Sequence, residues 1–129
     1  MGRGMASVDL NRDQRVDVVV SHVNEPIAVL HNESEAGRAI RLRLISTSSN
    51  RSAIGTRVRL KSSKTIQSRQ IIGGGSYAST HERMVHFGIG AQEQADEIVI
   101  TWPDGSEQVL SAPGAGRFVI VQGRDPISD

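Results

Sequence analysis

Ile98-Val99-Ile100-Thr101-Trp102-Pro103-Asp104-Gly105-Ser106-Glu107-Gln108-Val109-Leu110 is the stretch whose reading decides the fold. Two β-rich runs flank Pro-Asp-Gly. Proline presets φ for the first central position of a turn, and Gly105 can take a positive φ after a type I turn. That chemistry predicts a hairpin closed by a glycine bulge. The segments around it repeat the signal. Ile40-Arg41-Leu42-Arg43-Leu44 and Arg57-Val58-Arg59-Leu60-Lys61 alternate apolar with basic. Period-two alternation places Ile40, Leu42, Leu44, Val58 and Leu60 on a buried face and the cations opposite. Ser62-Ser63 reads as a turn, residues 65–72 as a strand, residues 84–87 as a short one and residues 118–121 as the last. Near the start, Val16-Asp17-Val18-Val19-Val20 and Ile27-Ala28-Val29-Leu30 flank the turn residues Asn24-Glu25-Pro26, which predicts a second hairpin. Residues 33–37 are polar and read as a linker, and the stretch from Pro126 onward reads as a frayed tail. No amphipathic helix is expected, although residues 91–95 could form one turn. Short strands punctuated by glycine and proline predict an all-β chain: a small β-sandwich or barrel of short antiparallel strands with an extra N-terminal hairpin.

Composition sets the limits. A chain of 129 residues holds one domain and buries about two-thirds of its unfolded surface. The hydrophobic share is 37% and the aromatic share 3%, so Val, Ile and Leu must build the core with Trp102, Tyr77, Phe87 and Phe118 as the few large fillers. There is no cysteine, which removes disulfides, thiolate metal sites and a cysteine nucleophile. The first residues lack the apolar stretch of a signal peptide, and no segment approaches the roughly 20 apolar residues of a membrane span. Net charge is +1, but its distribution is uneven. Arg38 to Gln70 contains nine Lys/Arg and no acid, while all fourteen acids lie outside that block. Such asymmetry speaks to partners rather than to fold.

Three further motifs follow in order: Asn50-Arg51-Ser52-Ala53-Ile54-Gly55-Thr56-Arg57-Val58-Arg59-Leu60, then Gly73-Gly74-Gly75-Ser76-Tyr77 running to His86-Phe87-Gly88-Ile89-Gly90, then Trp102-Pro103-Asp104-Gly105. In this order and spacing, over roughly residues 38 to 110, the chain resembles an ASPIC/UnbV domain. The resemblance implies a small module usually found behind FG-GAP/VCBS β-propeller repeats in large secreted proteins, with no established reaction. It implies a secreted or cell-surface location and a chain that is a piece of something longer. On this reading residues 34–122 form the ASPIC/UnbV-like β domain and residues 123–129 a tail.

The N-terminal stretch Asp9-Leu10-Asn11-Arg12-Asp13-Gln14-Arg15-Val16-Asp17 puts oxygen side chains at alternate positions, the donor set a hard cation such as Ca2+ uses. Directly before a β-branched strand, it resembles the calcium loop of an FG-GAP/VCBS repeat, and residues 1–33 would be a partial repeat of that type. The resemblance implies Asp9, Asn11, Asp13 and Asp17 as side-chain ligands and Arg15 as a carbonyl ligand. Gln14 stands where that pattern has glycine, and Arg12 and Arg15 add positive charge. A polar turn without metal is the alternative.

Arg41, Arg43, Arg57, Arg59 and Lys61 would share one sheet face if their strands were neighbours. Such a face suits an acidic polysaccharide or the acidic loops of an adjoining propeller, or is a solvated outer surface. Nucleic acid fits poorly, because no aromatic residues are interleaved with the cations. The triple glycine lacks the Lys-Ser/Thr of a phosphate loop and reads as a turn that needs positive φ, as do Gly88 and Gly90. His81 and His86 are spaced for no chelate, and His22 and His31 have no third ligand in view. Ser76, Ser79 and Thr80 near His81 lack the Gly-x-Ser-x-Gly elbow of a hydrolase. The acids Glu82, Glu93, Asp96 and Glu97 read as surface and turn residues. The expected function is non-catalytic: an interaction or structural module at the C-terminal end of a propeller, with a purely structural cap of propeller edges as the alternative and a polysaccharide-active accessory less favoured.

Overall fold

The computed structural model describes residues 1–35 and 37–129. Residue 36, within the expected linker, lies outside the described residues. Among the described residues there are eleven strands in three sheets, and no helix is long and apolar enough to cross a membrane. The chain divides into two compact units, one carrying the first three strands with Gly73–Glu82, the other carrying the remaining strands.

In the first unit, β1 (Gly2–Val8), β2 (Asp17–His22) and β3 (Ala28–Leu30) form an antiparallel sheet with β2 central. The expected β2–β3 hairpin is present, with Val18 opposite Leu30 and Val20 opposite Ala28. β1 has no strand signature of its own, since two glycines and a methionine give little β propensity. It is a strand because it pairs with the valine run of β2, Met5 opposite Val20 and Ser7 opposite Val18.

The second unit has two four-stranded sheets. One runs in the order β11 (Ile127–Ser128), β10 (Gly116–Val121), β4 (Arg38–Ile45), β7 (Val85–Gly90). The other runs β6 (Thr65–Gln70), β5 (Arg57–Ser62), β8 (Glu97–Thr101), β9 (Glu107–Ser111). Their inner faces meet in one core. Ile40, Leu42, Leu44, Val85, Phe87, Ile89 and Ile120 come from the first sheet, and Val58, Leu60, Ile98, Ile100 and Leu110 from the second. Trp102 is buried with them at the start of the β8–β9 turn. This is a sandwich, and among the described residues no sheet closes into a barrel. The expectation of antiparallel strands holds except at β4 and β10, which pair in parallel from Ile40/Gly116 to Ile45/Val121. Parallel neighbours need a long connection, and here most of the unit lies between them. The expected tail also contributes: Ile127 pairs with Val119 and Arg117 Nε bonds Asp129 Oδ2 at 2.7 Å.

The decisive hairpin forms as its sequence dictates. The Gly105 N–H bonds the Trp102 carbonyl at 2.9 Å, the Trp102 N–H bonds the Ser106 carbonyl at 2.9 Å, and Gly105 has φ +86°. Asp104 then locks the turn. Its carboxylate accepts the Ser106 hydroxyl at 2.6 Å and the Ser106 N–H at 2.9 Å, together with the Ser48 hydroxyl and Gln122 Nε2. Those bonds, led by the Ser106 and Ser48 hydroxyls, hold its acid well below the ordinary carboxylate range.

Candidate functional site

The loop of residues 9–17 in the first unit is closed by its own side chains. Asp9 accepts the Asp13 and Gln14 N–H groups at 3.1 Å each. Asp13 accepts the Arg15 N–H at 2.8 Å and pairs with the Arg15 guanidinium at 2.6 Å. Asn11 Nδ2 donates to the second oxygen of Asp13 at 2.8 Å. Asp17, fully buried, accepts the Asn32 N–H at 2.9 Å and the Leu10 N–H at 3.0 Å. These backbone donors, Asn32 first, lower the pKa of Asp17, and the Arg15 N–H does the same for Asp13. Gln14 takes φ +70° and Arg12 φ +62°, so the chain makes its sharp turn without glycine. The residues expected to bind Ca2+ are therefore adjacent in the loop, but their oxygens face N–H groups and a guanidinium. Among the described residues no three His, Cys, Asp or Glu side chains are grouped to hold a metal.

The segment Gly73–Glu82 belongs to the same unit and lines the outer edge of β1. Ser76 Oγ accepts the Met5 N–H at 3.3 Å and Ser79 Oγ donates to the Met5 carbonyl at 2.8 Å. His81 Nδ1 accepts the Ser7 N–H at 3.0 Å, and the Glu82 N–H donates to the Ser7 carbonyl at 2.9 Å. These serines and the histidine bond strand backbone rather than one another, so they are not a nucleophile and base. They cap an edge strand. The expected positive φ is found at Gly90, φ +63°, but not at Gly74, Gly75 or Gly88. Gly75 is needed for proximity instead: a Cβ there would lie 1.9 Å from the His81 ring. The other histidines have separate surroundings. His22 Nδ1 is 3.0 Å from the Pro26 carbonyl, His31 Nδ1 is 3.6 Å from Asp17, and His86 lies on β7.

The five expected surface cations do not form one face. β4 and β5 lie in different sheets, and Arg41 is 2% exposed. β4 is central and Ala39 to Leu42 are all buried, so alternation there does not mean one wet face. Arg43 is exposed, on a different sheet from the other three. Arg57, Arg59 and Lys61 behave as expected: they alternate with the buried Val58, Leu60 and Ser62 and stand exposed on the outer face of β5. None of the three makes an ion pair or side-chain hydrogen bond among the described residues, although Lys61 stands opposite Glu97.

That face carries a groove of about 420 Å³ lined by Arg57, Arg59, Arg69, Val99, Thr101 and Glu107 among others. Arg69 and Glu107 were not singled out by sequence. Arg69 alternates with the wrong face for this role, since its backbone lies opposite Val58. It enters from the edge strand β6, with its guanidinium 5.7 Å over the Phe87 ring and its NH1 bonded to the Ser68 carbonyl at 2.9 Å. Its presence in the acid-free block was the one available signal. Glu107 comes from the far strand, β9, and only the β5–β8–β9 register brings it level with Arg57.

The ASPIC and UnbV family model matches residues 46–126 of this chain. The chain is 32% identical over 111 residues to cartilage acidic protein 1 of Mus musculus, covering 81% of this chain and 17% of that protein. It is 33% identical over 109 residues to the Xenopus tropicalis protein of that name, covering 81% and 16%. With the Homo sapiens protein it is 32% identical over 134 residues, covering 96% and 20%. The chain thus spans a fifth or less of the length of these relatives.

Proposed function

Because the chain belongs to the ASPIC and UnbV family, we propose that it is an extracellular interaction module whose basic face on β5 captures an acidic polysaccharide. The homology to cartilage acidic protein 1 supports a non-catalytic module. The observation that carries the binding proposal is the row Arg57, Arg59, Lys61, exposed at the centre of a sheet, with Arg57 and Arg59 lining a groove. Successive cations in the row are two strand residues apart, about 6.7 Å, so the row spans about 13 Å. Guanidinium groups match carboxylate and sulfate with paired hydrogen bonds. Binding to exposed cations weakens with salt. The test is affinity for a labelled anionic glycan at low and moderate ionic strength, in the native chain and in an Arg57→Glu/Arg59→Glu variant. The proposal requires salt-sensitive binding that the double reversal abolishes. Equal binding by the variant would remove β5 from the site.

A second reading is favoured by the sheet of the first unit. The β2 register puts Met5, Val18, Val20, Ala28 and Leu30 on one face and Ala6, Val8, Val19 and Val29 on the other. Apolar residues on both faces are the pattern of a sheet covered twice. Yet Met5, Val29 and Leu30 are 42%, 42% and 58% exposed. This supports a structural role in which the sheet packs against a further β-sheet of a longer protein, such as an adjoining propeller. That reading predicts that a propeller expressed without this segment loses solubility, and a soluble propeller would refute it.

A further inference from the structure

The groove on the outer face of β5 and β8 is not uniformly positive, and its asymmetry narrows the ligand. Arg57 on β5, Thr101 on β8 and Glu107 on β9 stand in one row across the sheet. Strand spacing places the Arg57 and Glu107 backbones about 10 Å apart. No ion pair joins them among the described residues, and Glu107 only accepts the Thr101 hydroxyl, at 3.4 Å. The next row is Ser68, Arg59, Val99 and Val109, so Val99 and Val109 form an apolar strip beside Thr101. Val109 is 52% exposed. Two arginines therefore stand on β5, while Glu107 places a carboxylate at the β9 end.

We infer that the groove takes a sparsely charged, carboxylated glycan, with its anion on Arg57 and Arg59 and a neutral N–H or O–H group donating to Glu107. Glu107 is then the residue that sets specificity. A densely sulfated chain long enough to fill the groove brings anions to both ends, and Glu107 repels the second one. It also leaves little sugar C–H surface to lie on Val99. A glycan with one carboxylate per two sugars meets the arginines, the apolar strip and the acceptor in turn. The inference rests on the reading of the β5 face as a glycan site.

The test compares hyaluronan and heparin oligosaccharides of equal length on the full chain at fixed low salt, with poly-glutamate as a third probe. The native chain should bind the hyaluronan oligosaccharide more tightly than heparin. Glu107→Gln should raise heparin affinity by about threefold to tenfold, as expected for removing one nearby like charge, and lower hyaluronan affinity. Glu107 is exposed, so the variant keeps its fold. Heparin preference in the native chain, or a Glu107→Gln effect equal for both glycans, would overturn the inference while leaving the face as an anion site. Binding of neither glycan would overturn the underlying reading as well. Preference for poly-glutamate would give the groove to an acidic protein segment and also overturn it.

Discussion

Replacing Phe87 separates two jobs that one ring performs. The ring is fully buried in the core between the two sheets, and its face supports the Arg69 guanidinium. Truncation to alanine removes the packing, which for a buried phenylalanine costs about 3–5 kcal/mol. That is a large share of the roughly 5–15 kcal/mol that holds a domain folded. Leucine keeps most of the apolar volume, so Phe87→Leu should cost under about 1.5 kcal/mol in packing. It also removes the π face, worth about 0.5–1 kcal/mol to Arg69 at an exposed site. With a urea slope of about 1.5 kcal/mol/M, the midpoint should fall by about 1 M for leucine and about 2–3 M for alanine, at unchanged slope. A double-mutant cycle isolates the second job. Phe87→Leu, Arg69→Ala and their combination should show a coupling of about 0.5–1 kcal/mol in urea unfolding. If the two substitutions add with no coupling, the ring does not hold the guanidinium.

Other elements give sharper single readouts. Gly105→Ala should destabilise by about 1–2 kcal/mol in urea unfolding, because φ +86° is a left-handed backbone that a Cβ opposes. Asp104 has its pKa held below its ordinary 3.8, so its stabilising effect is full above that value and is lost as pH falls through the lower folded value. Asp104→Asn should therefore lower the unfolding midpoint near neutral pH and flatten its fall on acidification, and parallel acid limbs would refute this. Gly75→Ala pushes a methyl group into the His81 ring and should speed hydrogen exchange at the Ser7 amide, which donates to that ring. Excess Ca2+ against EDTA should leave the thermal midpoint of the chain unmoved, since Arg15 and backbone N–H groups hold the loop carboxylates. A rise that Asp13→Ala abolishes would show that the loop releases Arg15 to take the ion.

What the sequence made legible was local. The Pro103-Asp104-Gly105 turn contains its own instructions, so the β8–β9 hairpin and its glycine bulge follow from residues in contact along the chain. The partners that finish it, Ser48 and Gln122, lie 56 and 18 residues from Asp104 and follow no local pattern. β1 was hidden for a related reason: its strand conformation comes from β2, and its edge is sealed by Gly73–Glu82. Pro126 suggested an end to structure, whereas the residues after it pair with β10 and anchor Asp129 on Arg117. Loop 9–17 was read as a donor set, and only its geometry shows those donors turned onto the chain's own N–H groups. Glu107 and Arg69 share no sequence motif with Arg57, because a sheet assembles its outer face from strands in register order, not chain order.

The two alternating segments show why pattern alone could not choose the binding cations. Ile40–Leu44 and Arg57–Lys61 read identically, apolar then basic. Alternation fixes which side chains share a face, but not whether anything covers that face. β4 lies inside its sheet with both faces buried at Arg41, so that arginine is 2% exposed and cannot meet a partner from solution. β5 is equally central, yet its outer side chains stay in water. Its inner residues Val58 and Leu60 already satisfy the core. The identities of Arg57, Arg59 and Lys61 are thus free of any demand from the fold. A row of cations that neither packs nor pairs places like charges side by side, which costs stability rather than adding it. Neutralising Arg57 and Arg59 with glutamine should therefore leave the unfolding midpoint equal or raise it, while lowering glycan affinity. Loss of stability in that variant would mean that the row serves the fold after all.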